Sequence, residues 1–158
     1  RMRHAFIMDP LEGVKPHKDT TYFLMLAAHE RGHEVFYVDP ATLSLRHDEV
    51  YATVVKVKVS PAHDRPFDCA PQRSCALGTM DTLWIRQDPP FDRSYFYVTL
   101  LLDQLPERVQ IINSQTDIQL RQTMPIELAY KDIITHRYSA FSNACEKALT
   151  IRPKYHCG

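Results

Sequence analysis

Thr82-Leu83-Trp84-Ile85-Arg86-Gln87-Asp88-Pro89-Pro90-Phe91-Asp92 is the stretch that decides the fold of this chain. Four strand-forming residues run into an arginine and then a double proline. Proline lacks the ladder N–H and drives the residue before it out of the helical region, so the strand ends between Arg86 and Asp88. Asp92 has the position and chemistry of a helix N-cap, and an apolar, helix-like run from Ser94 to Leu105 follows it. Strand, loop and helix in this order form half of an α/β unit. In open sheets of that class, ligands bind in the loops at the strands' carboxyl edge. An arginine held there by a stiff loop can fork onto a carboxylate or phosphate. The structural alternative is a surface pair between Arg86 and Asp88 or Asp92, which is worth little.

The same alternation extends in both directions. His4 to Met8 reads as a strand ending at Asp9-Pro10, and Leu11 to Lys18, with Gly13 and Pro16, reads as a loop. Asp19 then caps a helix from Thr20 to Arg31 that Gly32 stops. Phe23, Leu26, Ala27 and Glu30 share one face of it, and Tyr22, Met25 and His29 broaden the stripe that packs on the sheet. Val35 to Val38 is the next strand, closed by Asp39-Pro40. Ser44-Leu45-Arg46 and Tyr51 to Val59 read as a hairpin joined by a short polar turn. Ser60 to Gly78, interrupted by Pro61, Pro66 and Pro71, reads as a long surface loop. Val109 to Ile112 is a strand ending at Asn113-Ser114. Beyond Arg121, Ile126 to Tyr138 and Asn143 to Leu149 read as short helices, and Thr150 to Gly158 as a frayed tail. The expected architecture is α/β: a Rossmann-like layer with a mostly parallel sheet, helices on both faces and an added β-hairpin. The strands at His4, Val35, Thr82 and Val109 should be neighbours.

Composition bounds the function. The length of 158 residues suits one domain with a real core, and 44% hydrophobic with 24% charged residues is ordinary for a globular protein. Nineteen basic and 19 acidic residues leave no net field to attract nucleic acid or an anionic membrane. No apolar run is long enough to span a bilayer and no leader is visible, so the expected compartment is cytoplasmic. Cys69, Cys75, Cys145 and Cys157 form no Cys-x-x-Cys pair, which favours reduced thiols. A zinc site from Cys69, Cys75 and His63 has poor spacing. The four glycines fall nowhere near a Gly-x-Gly-x-x-Gly turn or a phosphate loop, and no Gly-x-Ser-x-Gly elbow occurs. Tyr95, Phe96, Val98, Leu100, Leu101 and Leu102 exceed what one helix face needs. That surplus points to two-fold self-association or, alternatively, to burial between sheet and tail.

Three polar clusters fall at the expected carboxyl edges: Asp9 with Lys18, Asp19, Thr20 and Thr21; Arg86 with Asp88 and Asp92; and Asn113 with Ser114. Right-handed crossovers put these edges on one side of the sheet, so the clusters can converge. Thr20, Thr21 and the first-turn N–H groups would offer donors to an anion. Against this, Asp19 and Asp92 are accounted for as helix caps, and Lys18 as a solvated lysine. The candidate substrate-binding set is Arg86, Lys18, Asp19, Thr20, Asp88 and Asn113. No catalytic residue and no metal ligand is assigned.

Phe6-Ile7-Met8-Asp9-Pro10, Lys18-Asp19-Thr20-Thr21-Tyr22-Phe23 and Arg86-Gln87-Asp88-Pro89-Pro90-Phe91-Asp92, in that order and spacing, resemble the N-terminal domain of bacterial glutathione synthetase. Ile111-Ile112-Asn113-Ser114 and Leu120-Arg121 continue the likeness, so residues 1–121 correspond to the pre-ATP-grasp domain and 122–158 to a divergent extension. The resemblance implies a Rossmann-like layer ahead of an ATP-grasp pair of domains. It also implies ligation of γ-glutamylcysteine to glycine with ATP and Mg2+ through an acyl phosphate. On this reading Arg86 contacts the peptide, and γ-glutamylcysteine or glutathione is the partner. The chain departs from the pattern in two ways. The Gly-rich loop, nucleotide lysines and magnesium ligands of the later domains have no counterpart here. Gln115 also replaces the usual proline after Asn113-Ser114, and after Leu120-Arg121 the expected Asn-Glu-Lys-Leu helix has only a faint echo at Asn143 to Lys147. The expectation is a substrate-binding domain that does not ligate alone and carries no cofactor itself. The alternative is a stand-alone binding or oligomerisation module.

Overall fold

The computed structural model describes residues 1–87, 93–113 and 155–157, with the backbone alone at Asn113 and at 155–157. β1 (Arg3–Met8) lies between β2 (Glu34–Val38) and β7 (Thr82–Arg86), β8 (Gln110–Asn113) flanks β7, and β9 (Tyr155–Cys157) flanks β8. All of these neighbours run parallel. The four strands expected to be adjacent are adjacent. The strand at Tyr155–Cys157 corrects the frayed-tail expectation: three residues too few to show a period are held by β8's free edge. The expected helices at 126–138 and 143–149 lie outside the described residues.

The other half of the sheet is antiparallel. β4 (Glu49–Val59) pairs with β2 and β3 (Ser44–Arg46) along one edge, and with β5 (Phe67–Cys69) and β6 (Arg73–Ala76) along the other. Val57, for example, faces Val35 on one side and Cys69 on the other. The sheet is therefore mixed rather than mostly parallel, and the hairpin is built into it. β4 buries Val50, Ala52 and Val54 in the core cluster of one face and Val55, Val57 and Val59 in that of the other. This switch is what appears in sequence as loose alternation. His47 and Asp48, with φ of 49° and 64°, make the β3–β4 turn left-handed at both positions, the geometry that matches strand twist in two-residue hairpins. The segment 60–78, expected as loop, instead contributes β5 and β6. Pro61 and Pro66 stand between β4 and β5, and Pro71 between β5 and β6, outside the ladders where no strand N–H is lost.

Among the described residues each face of the sheet carries one helix. α1 (Thr20–Glu30) begins at Asp19, whose side chain accepts from the Thr21 N–H, and turns off at Gly32, where φ is +78°. It buries Tyr22 and Met25 on Phe6, Val35, Val55 and Val57. Phe23, expected to point inward, is 49% exposed. The helix is rotated so that the Tyr22 hydroxyl donates to the Ser60 carbonyl at 2.6 Å. α2 (Arg93–Leu102) packs Tyr95, Val98 and Leu102 with Ala5, Ile7, Leu83 and Ile85 on the opposite face. Phe96, Leu100 and Leu101 are buried as well, so the surplus apolar surface of this helix is taken up within the chain. No helix among the described residues is long and apolar enough to cross a membrane.

Candidate functional site

The parallel register brings the predicted clusters to one edge. Met8 pairs with Arg86, and Ile85 with Asn113, so β1, β7 and β8 end within one residue of each other. α1 starts at that same edge because its strand–helix connection leaves from β1. A run of turns through Leu11–Gly13 and Lys15–Asp19 carries the chain across, with the Asp19 N–H donating to the Lys15 carbonyl at 2.9 Å.

Arg86 is the residue this convergence places best. Its Nε–H donates to the Thr21 hydroxyl oxygen at 3.2 Å, across 65 positions of sequence. Thr21 is 6% exposed, and its own N–H is held by the Asp19 carboxylate at 2.9 Å. Among the described residues the guanidinium makes no ion pair, so the Asp88 and Asp92 alternative concerns positions outside them. Five N–H groups belong to a guanidinium, and one of them is used among the described residues.

The remaining candidates separate. Asp19 works as the N-cap of α1, as its alternative account held. Thr20 is the first helical residue and is exposed, and Lys18 is exposed in the preceding turn. Asp88 lies outside the described residues. Asn113 ends β8 one register position behind Arg86. Thr21, expected with Thr20 to offer a donor to an anion, is buried, and its hydroxyl is in contact with Arg86. Its N–H is held by the Asp19 carboxylate and its hydroxyl oxygen accepts from Arg86, a bond that does not use the hydroxyl's own proton. The signal that separates Thr21 from Thr20 is helical phase, since Thr21 and Met25 stand four apart and both are buried. Gln87 carries no sequence signal of a role. Its Oε1 is buried beside Arg86 without a hydrogen-bond partner among the described residues.

Charge is unevenly spread along the edge. Tyr37, near the end of β2, has its phenol pushed up to about 12, first by burial and then by the carboxylates of Asp39, Glu12 and Asp9. The Glu12 charge, after burial and Asp68, also raises the Cys69 thiol, which disfavours a reactive thiolate. The β1–β2 side of the edge is thus acidic, while Arg86 supplies positive charge on the β7 side. No group of three or more His, Cys, Asp or Glu among the described residues is placed to hold a metal ion. Cys69 pairs with Val57 and Cys75 with Ala52, five residues apart on β4. That separation, about 16 Å of strand, rules out a zinc site sharing the two.

Comparison with known proteins places this arrangement. The family profile described as prokaryotic glutathione synthetase, N-terminal domain, matches residues 2–119. Glutathione synthetase of Parasynechococcus marenigrum is 38% identical over 114 residues, which is 71% of this chain and 36% of that protein. The Coxiella burnetii glutathione synthetase is 36% identical over 102 residues, 65% of this chain and 32% of that protein. That of Agrobacterium fabrum is 33% identical over 109 residues, 69% and 34% of the two chains. The chain spans about a third of the length of the curated relatives it matches. With the Arg86 edge, the parallel core and the matched segment all coinciding, the chain belongs to the family of the prokaryotic glutathione synthetase N-terminal domain.

Proposed function

We propose that this chain is the peptide-holding layer of a glutathione-synthetase-like, ATP-dependent ligase that joins γ-glutamylcysteine to glycine in the cytoplasm. The observation that carries this reading is Arg86. It stands at the carboxyl edge of the central strands, anchored through Nε to Thr21, with no ion pair among the described residues. Such a guanidinium suits a substrate carboxylate.

ATP and Mg2+, which the family implies, find no site among the described residues. No carboxylate cluster is placed for a metal, and Gly13, Gly32 and Gly78 lie in separate turns rather than in one phosphate-covering loop. Phosphoryl transfer depends on a positioned nucleotide and metal. The role we assign to these residues is therefore to hold and orient the peptide. The chain by itself is expected not to ligate. Release of phosphate from ATP that required both γ-glutamylcysteine and glycine would overturn that expectation.

Calorimetric titration of γ-glutamylcysteine tests the reading directly. Charge-assisted bonds of about 1.5–3 kcal/mol predict that Arg86→Ala weakens binding roughly ten- to a hundredfold. Arg86→Lys should recover part of it, because charge is kept and the planar fork is lost. An unchanged affinity in Arg86→Ala, or no binding by the unmodified chain, would end the proposal.

A further inference from the structure

We infer that Thr21 is a positioning residue that selects which edge of the Arg86 guanidinium meets the peptide carboxylate. The inference rests on the substrate-holding role just proposed. A guanidinium offers two kinds of fork to a carboxylate: the side edge, made by Nε–H and one Nη–H, and the end, made by the two Nη groups. The Thr21 hydroxyl oxygen accepts from Nε–H at 3.2 Å and so occupies the side edge. Among the described residues the end fork is left, and it is the one a ligand at the open edge would engage.

Several features make Thr21 a fixed post rather than a passing contact. The residue is 6% exposed, so the hydroxyl has little access to competing water. β-Branching restricts its rotamer within α1. Its backbone is held in turn by the Asp19 cap, with the Thr21 N–H donating to the carboxylate at 2.9 Å. The chain of Asp19, Thr21 and Arg86 thus links the start of α1 to the end of β7, and both follow from packing that Tyr22 and Met25 set. Arg86 reaches the ligand with its rotation about the last bonds already restricted, which lowers the entropy lost on binding. An ammonium in place of the guanidinium has no Nε–H and no planar fork, so there is no edge for Thr21 to select.

The test is a double-mutant cycle read by calorimetric titration of γ-glutamylcysteine into the chain. Thr21→Val removes the acceptor with little change in volume, and Thr21→Ala serves as a second variant should the first be poorly folded. Either should weaken binding about three- to tenfold, the scale of a lost positioning contact rather than of a direct bond to the ligand. Thr21→Ser should restore it, since the hydroxyl returns. In an Arg86→Lys background, Thr21→Val should change nothing. An equal loss in both backgrounds would show that Thr21 acts only through the fold, and would overturn the inference. No loss from Thr21→Val beside a clear loss from Arg86→Ala would overturn it too, while leaving the proposed function standing. An Arg86→Ala chain that binds like the unmodified one would remove the proposed function itself.

Discussion

Tyr22 is the side chain whose change reports most directly on how α1 is held over the sheet. It is fully buried, its hydroxyl donates to the Ser60 carbonyl at 2.6 Å, and its ring meets Phe67 edge-on at 6.0 Å and His63 at 6.1 Å. Tyr22→Phe keeps the ring and removes the donor. A single neutral hydrogen bond contributes about 1 kcal/mol net, and the carbonyl left behind adds to the loss if it stays dry. For a chain of this length that corresponds to a fall of about 2–4 °C in melting temperature. Tyr22→Ala also empties the ring's space between Phe6, Met25 and the β4–β5 turn, and should cost about 3–5 kcal/mol, as large-to-small core changes do. Trp84 is the only tryptophan and stacks on Phe6 at 5.5 Å, so its fluorescence reports the same layer in urea unfolding. The expected result is a lower midpoint at an unchanged slope for Tyr22→Phe, and a much lower one for Tyr22→Ala. A Tyr22→Phe chain as stable as the unmodified one, with Tyr22→Ala losing under about 1 kcal/mol, would refute the account of α1 packing.

Other outcomes follow from single features of the fold. The His4 ring is buried, its Nδ1 accepts from Trp84 Nε1–H at 3.2 Å, and burial, then His33, hold its pKa below the ordinary 6.5 against the opposing pull of Asp81. The unfolded chain then takes up the proton first, so this contribution is complete above pH 6.5 and declines as pH falls toward the folded value. Melting curves at about pH 7.5 and about pH 5.5 should show it, and His4→Gln should flatten the difference; an equal slope in both proteins would count against it. Replacing His47-Asp48 by Asn-Gly should stabilise the β3–β4 turn by up to about 1 kcal/mol, because both positions are left-handed; a lower melting temperature would argue against that turn geometry. Light scattering at high micromolar concentration decides self-association. A dimer mass would place the contact somewhere other than the buried face of α2, and a monomer mass would remove the idea.

Residues close together in sequence settled what local chemistry can settle. Asp19 and Gly32 bounded α1, Asp9-Pro10 and the double proline after Asp88 ended β1 and β7, and the strand–helix alternation between them implied parallel neighbours with a ligand edge. Those rules act within a few residues, through a missing N–H, a cap or a positive φ, so they are readable without a partner strand. Family likeness was legible for the same reason, since the Arg86 to Asp92 string is contiguous. The rest depended on contacts made across the chain. β4's burial switches from one face to the other because Leu77 and Met80 pack on one face of its first half and Tyr22 and Met25 of α1 on the other face of its second half. β5, β6 and β9 are too short to announce themselves, and each exists because a neighbouring edge offers hydrogen bonds. The rotation of α1 that buries Thr21 and exposes Phe23 was set by Tyr22 reaching Ser60, a contact spanning 38 positions. Sequence alone therefore named Arg86, while the fold supplied the hydroxyl that orients it. A hydrogen bond between residues 65 positions apart exists only after the strand and helix that carry them have packed.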